Sequence, residues 1–392
     1  MNTALKPPNW INSSSLLSAG IVICALAALV TPAFDTGASL FADLPLTLVL
    51  LLLAALALVF VLKAAPGAGF LNGPARGTAL LDAALGLAIL CAAGLLIPLA
   101  HQNVGEATGG FWAVVVALWL SAWLFVERIA SLQMKDPSLA RAVNFAIPVA
   151  FGATLLLLWE LIVTGAGVPK VLLPAPSEIW LRMTNSVPIL WADFQQTFLK
   201  AVLIGYALGC GSAFITAIAI DRVPFLRRGL LPVGNLVSAL PIIGVAPIMV
   251  MWFGFDWPSK AAVVIIMTFF PMLVNTVSGL AASEAMQRDL MRTYASNYWQ
   301  TLIKLRLPMA MPFIFNALKI NSTLALIGAI VAEFFGTPIV GMGFRISTEV
   351  GRMNVDMVWA EIAVAALAGS LFYGAIALLE RAVTFWHPSI RG

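Results

Sequence analysis

The chain has 392 residues, of which 61% are hydrophobic and only 10% are charged, and its mean hydropathy is +0.97. Soluble domains are about half apolar and about a quarter charged, so this composition excludes an ordinary soluble protein and indicates an integral membrane protein. The formal charge of +4 does not indicate nucleic-acid binding, because the basic residues are scattered at the ends of apolar runs.

Ten apolar runs are long enough to cross a membrane as helices. They lie at 16–34, 44–62, 79–100, 110–126, 143–163, 198–220, 236–253, 261–281, 313–335 and 358–379. An α-helix rises about 1.5 Å per residue, so each run can cross a hydrocarbon core about 30 Å thick. The prediction is therefore an all-α, polytopic membrane protein with about ten transmembrane helices in membrane lipid.

The distribution of lysine and arginine supports this number of helices and sets their orientation. With ten spans and both termini in the cytoplasm, most of the 22 basic residues lie in cytoplasmic loops, as the positive-inside rule requires. The basic residues left outside are Lys170, Arg182, Lys200, Lys260, Arg345 and Arg352. One helix fewer would invert every later loop and remove this bias, so we predict cytoplasmic N- and C-termini.

A polar, charged loop at 127–142 divides the first four helices from the last six. We place the division near Asp136, which gives an N-terminal four-helix membrane extension at 1–135 and a six-helix domain at 136–392. The extension carries almost no polar groups within its spans. Two interpretations stay open for it, a lipid-facing scaffold or subunit-contact domain and a second solute site.

Two connections between spans predict short helices. On the outside, Pro174 and Pro176 are followed by Ser177, a candidate N-cap for an interfacial helix. On the inside, the segment at 283–307 is long, of mixed polarity and helix-favouring, and Pro308 follows it. As a helix this segment is amphipathic, which is also typical of a surface helix at the level of the lipid headgroups.

Two carboxylates, Glu160 and Glu333, lie near the outer ends of their spans. A charge within a span is costly, so each is a candidate functional residue on the solute path. The other interpretation is a structural carboxylate that bonds neighbouring backbone or faces interfacial water. Both interpretations stay open at this point.

The stretch at 238–254 contains two prolines, Pro241 and Pro247, inside an apolar run. Non-helical backbone at membrane depth is tolerated only inside protein or beside a water-filled cavity, so this stretch is a candidate wall of the solute path. A packing kink is the alternative, because proline is common in membrane helices. Met251 and Trp252 can be gate residues or core residues.

No enzymatic site is predicted. The chain has no G-x-x-x-x-G-K-[ST] phosphate loop, so energy from ATP must come from another subunit. His101 and His387 are predicted on opposite membrane faces, and no Ser/His/Asp set is predicted at one depth, which disfavours a membrane enzyme. We therefore predict no catalytic residue, no metal site and no cofactor.

Five stretches carry a resemblance to a known family, and their order and spacing fit it. They are Trp159-Glu160, LLPAPSEIW from Leu172, LPIIGVAPIMVMWFGF from Leu240, WQTLIKLRLPMAMPFI from Trp299 and IGAIVAEFFG from Ile327. From Trp159 onward the chain is similar to permease subunits of bacterial ABC importers, in the nitrate, sulfonate and taurine branch of binding-protein-dependent transporters. The resemblance implies a six-helix permease core of the type I importer fold, preceded here by four extra helices, in the bacterial inner membrane.

The resemblance gives the cytoplasmic segment a role. In that family the stretch before the Leu-Pro carries Glu-Ala-Ala and then Gly, and it forms coupling helices that dock in a groove of the ATPase subunit. The implied coupling residues here are Asp289, Leu290, Met291, Thr293, Ala295 and Tyr298. Ala295 stands where glycine is usual, and alanine adopts a left-handed turn at a cost on the order of 1 kcal/mol. Whether the turn is reshaped, and whether the ATPase is a dedicated one, stays open.

The function implied by the resemblance is that of a permease without its own ATPase site. The implied partners are ABC ATPase subunits, a periplasmic solute-binding protein and a second permease subunit in a homodimer. The candidate pathway residues are Pro241, Pro247, Met251, Trp252 and Glu333. The implied solutes are nitrate, a sulfonate such as taurine, or a pyrimidine-type vitamin precursor. The alternative is a stand-alone secondary transporter or channel, although no repeat between the halves supports it.

Overall fold

A computed structural model describes residues 13–34, 44–64, 75–131, 136–238, 242–336 and 339–386. These residues form α-helices: α1 Ser13–Val30, α2 Leu44–Ala64, α3 Ala75–Gln102, α4 Gly109–Ser131, α5 Pro137–Gly165, α6 Pro176–Asn185, α7 Val187–Phe194, α8 Leu203–Arg222, α9 Pro224–Ser238, α10 Ile242–Phe253, α11 Trp257–Ala281, α12 Ala285–Thr293, α13 Tyr298–Thr301, α14 Leu307–Glu333, α15 Met342–Gly351 and α16 Val355–Val383. A π-helical segment, Gln195–Val202, joins α7 to α8, and another, Leu302–Arg306, joins α13 to α14.

The prediction of an all-helical, polytopic membrane protein is confirmed. Within the described ranges, seven helical segments are long and apolar enough to cross a membrane: Leu80–Gln102, Gly109–Ser131, Pro137–Gly165, Val187–Arg222, Trp257–Ala281, Tyr298–Glu333 and Val355–Val383. Three shorter apolar helices, Leu16–Val30, Leu46–Phe60 and Gly244–Phe253, lie on the other predicted runs. The run predicted at 236–253 is divided between α9 and α10. The 12 residues of α10 rise only about 18 Å, which is less than the thickness of a bilayer core.

The first compact unit comprises Met1–Glu178. In it, α1 packs against α2 and α4, and α5 packs against α3 and α4. Leu161 of α5 is fully buried in the same hydrophobic core as Phe111 of α4. Asp136, near which the sequence predicts the domain division, caps the N-terminus of α5 by accepting a bond from the Ser138 N–H.

The second compact unit comprises Ile179–Gly392 and is built around α11, which packs against α8, α10 and α14. Small residues let α8 approach α11 closely. A Cβ added at Gly205 would lie 2.7 Å from the Val264 Cβ, and one added at Gly209 would overlap the Thr268 hydroxyl. Membrane helices often pack closely through small residues, because lipid is as apolar as their side chains and the hydrophobic effect does not drive the helices together.

Candidate functional sites

The turn between α12 and α13 is left-handed at Ala295, whose φ is +53°. The Ala295 N–H donates to the Arg292 carbonyl at 2.9 Å, and the Ser296 N–H donates to the Met291 carbonyl at 3.0 Å. These two bonds form a Schellman motif, which satisfies the last carbonyls of a helix. The family-like arrangement of two short helices and a left-handed turn is therefore present, with alanine in the position that glycine usually takes.

The predicted coupling residues lie on the surface of this helix pair. Asp289, Leu290, Thr293 and Ala295 are exposed, and Met291 and Tyr298 are half-buried. None of the residues of α12 is buried. Leu290 is 57% exposed, which leaves an apolar side chain uncovered on a polar helix.

A three-way contact at Asp221 fastens the α12–α13 pair to the helices of the bundle. The Arg306 guanidinium donates two bonds of 2.6 Å to the Asp221 carboxylate, and its Nε donates to the Leu280 carbonyl at 2.9 Å. The Tyr298 hydroxyl donates to Asp221 at 2.9 Å, and the Arg222 guanidinium lies 5.1 Å from the centre of the Tyr298 ring. This Asp221 clamp connects α8, the C-terminal end of α11 and α13.

Sequence reasoning missed Asp221, although one signal for it exists. Asp221 lies in the last turn of α8, where the helix dipole disfavours a negative charge, so a nearby cation is required. Arg306 provides that cation from 85 residues away. Leu302, in the π-helical segment before Arg306, is only 3% exposed and packs in one cluster with Leu280 and Ile314.

The candidate pathway residues on α10 are largely uncovered. Met251 is 82% exposed and Trp252 is 72% exposed, whereas Met249 and Val250 on the same helix are each 7% exposed. Pro247 lies inside the helix and is half-buried. The helix therefore packs one face on the bundle and leaves large apolar side chains open. Pro241 lies outside the described residues.

Glu333 is 2% exposed and bonded on both oxygens. Its carboxylate accepts a bond of 2.7 Å from the Thr197 hydroxyl and one of 2.7 Å from the Gly343 N–H. The Thr197 oxygen in turn accepts from the Met342 N–H at 2.8 Å. Glu333 thus holds the start of α15 against the π-helical segment before α8, an arrangement that favours the interpretation as a structural carboxylate.

Asp193 is a second buried carboxylate beside Glu333, and sequence reasoning did not identify it. It is fully buried, accepts from the Gly341 N–H at 2.6 Å and pairs with the Nε of Arg345 at 2.8 Å. Burial lowers the pKa of Arg345, but the bond to Asp193 more than offsets this, and the pKa lies above its ordinary value. Arg345 therefore stays charged and binds a carboxylate of its own chain.

The structure brings together a serine, a histidine and a glutamate whose contact the sequence did not predict. Ser177, His101 and Glu160 do come together in the first unit: the Ser177 hydroxyl donates to Glu160 at 2.7 Å, and His101 Nε2 lies 3.0 Å from Glu160 and 3.4 Å from Ser177. In a catalytic triad the imidazole lies between serine and acid, whereas here the serine bonds the acid directly. This set does not activate a nucleophile. Ser177 is also not an N-cap, because α6 begins one residue before it.

In the part of the chain that the structure describes, no three His, Cys, Asp or Glu side chains are grouped so that they could hold a metal ion. Four carboxylates, Asp193, Glu333, Glu349 and Glu361, are buried among the described residues of the second unit. Asp193 and Glu333 are occupied by the bonds described above. Asp193 and Glu333 therefore hold the segment at the start of α15.

Comparisons with known proteins give a consistent picture. Residues 201–385 match the model of a family described as binding-protein-dependent transport system inner membrane component. A riboflavin transport system permease protein of Chloroflexus aurantiacus is 30% identical over 267 residues, which cover 67% of this chain and 96% of that protein. A formylaminopyrimidine transport permease protein of Halalkalibacterium halodurans is 30% identical over 239 residues, 61% of this chain and 95% of that protein. A taurine transport system permease protein of Escherichia coli is 25% identical over 283 residues, 68% and 99% of the two chains.

Proposed function

Since the chain belongs to the family of binding-protein-dependent transport system inner membrane components, which are ABC transporter permeases, we propose that it is the permease subunit of an ATP-driven importer. It forms the translocation pathway for a small polar solute across the bacterial inner membrane. Its N- and C-termini lie in the cytoplasm, in agreement with the distribution of basic residues. The permease domain is 136–392, and 1–135 is an extension of four helices.

The observation that carries this proposal is the α12–α13 pair with its left-handed turn at Ala295 and its attachment at Asp221. An ABC ATPase subunit binds the exposed face that contains Asp289 and Leu290. The ATPase hydrolyses ATP, and its movement reaches the bundle through Arg306, which bonds both α8 and α11. A displacement of α12–α13 reaches α8 and α11 through this connection, because closely packed, hydrogen-bonded residues move together and do not absorb the displacement by small local distortions.

The pathway lies along α10. Met251 and Trp252 are uncovered in a single chain, and exposed apolar side chains of this size in a membrane protein face lipid or another subunit. A second copy of the chain covers them, and the solute passes between the two copies, beside Pro247. Glu333 acts in the pathway by holding the loop before α15 in place. Pro241 is assigned to the pathway by its sequence position alone.

The solute is nitrate, a sulfonate such as taurine, or a pyrimidine-type vitamin precursor. The names of the relatives support the sulfonate and pyrimidine members of this range, since they include permeases for taurine, aliphatic sulfonates and formylaminopyrimidine. Other relatives are named as permeases for riboflavin and bicarbonate, and nitrate rests on the resemblance alone. A periplasmic binding protein delivers the solute and supplies much of the specificity. Ligand binding by the partner binding protein is therefore the measurement that selects among these solutes.

Charged substitutions at Ala295 and Tyr298 test the proposal in vesicles that contain the permease, its ATPase and its binding protein. We expect Ala295→Glu and Tyr298→Asp to reduce uptake by more than about tenfold while ATP hydrolysis continues, because a charge buried in a docking groove is strongly unfavourable. Ser131→Glu, at the exposed C-terminal end of α4, is the control and should leave uptake unchanged. Undiminished uptake in both test variants would refute the docking assignment, and uptake without ATPase would favour a secondary transporter or channel.

A further inference from the structure

The Glu160 carboxylate, near the C-terminal end of α5, caps the N-terminus of α6. It is 5% exposed, accepts a bond of 2.9 Å from the Ser177 N–H and accepts another of 2.7 Å from the Ser177 hydroxyl. Ser177 lies in the first turn of α6, where backbone N–H groups have no partner within the helix. Glu160 thus replaces the missing N-cap side chain and places a negative charge where the helix dipole stabilises it.

His101, the second-last residue of α3, holds this carboxylate from the other side. Its Nε2 lies 3.0 Å from Glu160, and its Nδ1 lies 2.9 Å from the Ile97 carbonyl. Both ring nitrogens therefore face oxygen acceptors. The ring thus connects the Glu160 carboxylate to the last turn of α3. Glu178, the acidic residue in the first turn of α6, accepts a bond of 3.2 Å from the Ala175 N–H.

The connection between α3 and α4 makes a second attachment to the end of α5. The Gly105 N–H donates to the Thr164 carbonyl at 3.1 Å, and the Gly167 N–H donates to the same carbonyl at 3.1 Å. Both glycines have positive φ, and a Cβ added at Gly167 would lie 2.7 Å from the Gly105 Cα. Side chains are therefore excluded from this contact, and the backbones of the two segments are held together.

We propose that the N-terminal extension positions the α5–α6 segment of the permease, and that His101 is the positioning residue, acting through Glu160 on the first turn of α6. The inference rests on the proposed function, under which α6 lies on the periplasmic side. The position of α6 then affects delivery of the solute by the binding protein. It does not affect ATP hydrolysis itself. This gives a function to four helices that the family resemblance does not cover.

The first test is hydrogen exchange of the full-length permease in detergent, which does not depend on the transport assignment. We expect His101→Ala and Glu160→Gln to accelerate exchange of the 176–185 amides about tenfold, the effect of losing a charge-assisted hydrogen bond. His101→Lys, which provides a side-chain N–H donor for Glu160, should return exchange towards the wild-type rate. Gln102→Ala, the exposed neighbour, is the control. Unchanged exchange in His101→Ala would overturn the inference.

The second test separates positioning from general stability. In vesicles with ATPase and binding protein, the rate of solute uptake is measured against the concentration of loaded binding protein. His101→Ala should raise the half-saturating concentration about tenfold and leave the maximal rate of uptake unchanged. His101→Lys should restore the half-saturating concentration. A lower maximal rate with unchanged half-saturation would overturn the positioning role. If loaded binding protein did not stimulate ATP hydrolysis in vesicles with the wild-type permease, the proposed function would be refuted instead, and with it any role of His101 in delivery of the solute.

Discussion

Replacement of Asp221 by asparagine tests the clamp that fastens α12–α13 to the bundle. Asp221 and Arg306 are only 12% and 15% exposed, and the variant leaves the Arg306 guanidinium without its carboxylate. Removal of one partner from a buried ion pair costs about 3–5 kcal/mol. Because the pair retains some contact with solvent, we expect a loss of about 2–3 kcal/mol in the free energy of unfolding.

The assay for Asp221→Asn is equilibrium unfolding of the permease in mixed micelles, with Asp289→Asn as the control. Asp289 also pairs with an arginine, Arg292, at 3.2 Å, but the two side chains are 66% and 81% exposed. An exposed pair contributes little, so we expect the control to lose less than about 0.5 kcal/mol. Equal, small losses in the two variants would refute the idea that Asp221 fastens the helix pair.

Three further predictions concern backbone strain and pH. Ala295→Gly should raise the free energy of unfolding by up to about 1 kcal/mol, because glycine adopts the left-handed conformation without strain; an unchanged value would show that the turn is not strained. Gly167→Ala should destabilise the chain by about 2 kcal/mol or more, whereas Gly94→Ala, which has open space around it, should be neutral or stabilising in the same unfolding assay. A bond from the first N–H of α11 lowers the pKa of Asp256, with a smaller contribution from Gln196. The Asp256 carboxylate therefore contributes stability above its unfolded pKa, and this contribution is lost as the pH falls through its folded pKa. When the unfolding midpoint is measured against pH, the Asp256→Asn variant should lack this loss of stability at acid pH.

Local features of the fold could be predicted from the sequence. Apolar run length identified the helices, because a membrane helix must satisfy its backbone internally and expose apolar side chains. The position of glycine in related permeases indicated where a left-handed turn was to be sought, and the structure shows that Ala295 keeps this conformation. Both features depend on residues that are near one another in the chain.

The contacts that organise the candidate sites join residues far apart in the chain. Asp221 and Arg306 are separated by 85 residues, and Asp193 and Arg345 are separated by 152. No periodicity or propensity encodes such pairs, since each depends on how whole helices pack. The position of Asp221 in the last turn of α8 indicates that a cation lies nearby, but the sequence does not identify which arginine supplies it.

Two features of the packing were not predicted from the sequence. The predicted division near 136 lies at a polar loop, and α5, which follows that loop, buries Leu161 in the core that contains Phe111, within the compact unit Met1–Glu178. The sequence predicts no Ser/His/Asp set at one depth and does not predict the contact of His101 with Glu160 and Ser177. The fold brings His101 to Glu160 because α3 and α5 lie side by side.

The most direct test of the account is transport by purified permease in vesicles, with ATPase and loaded binding protein added separately. The account predicts that labelled solute accumulates only when the permease, the ATPase, the binding protein and ATP are all present. It also predicts that Ala295→Glu abolishes accumulation without abolishing ATP hydrolysis. Accumulation driven by a proton or sodium gradient in vesicles that lack the ATPase would contradict the account.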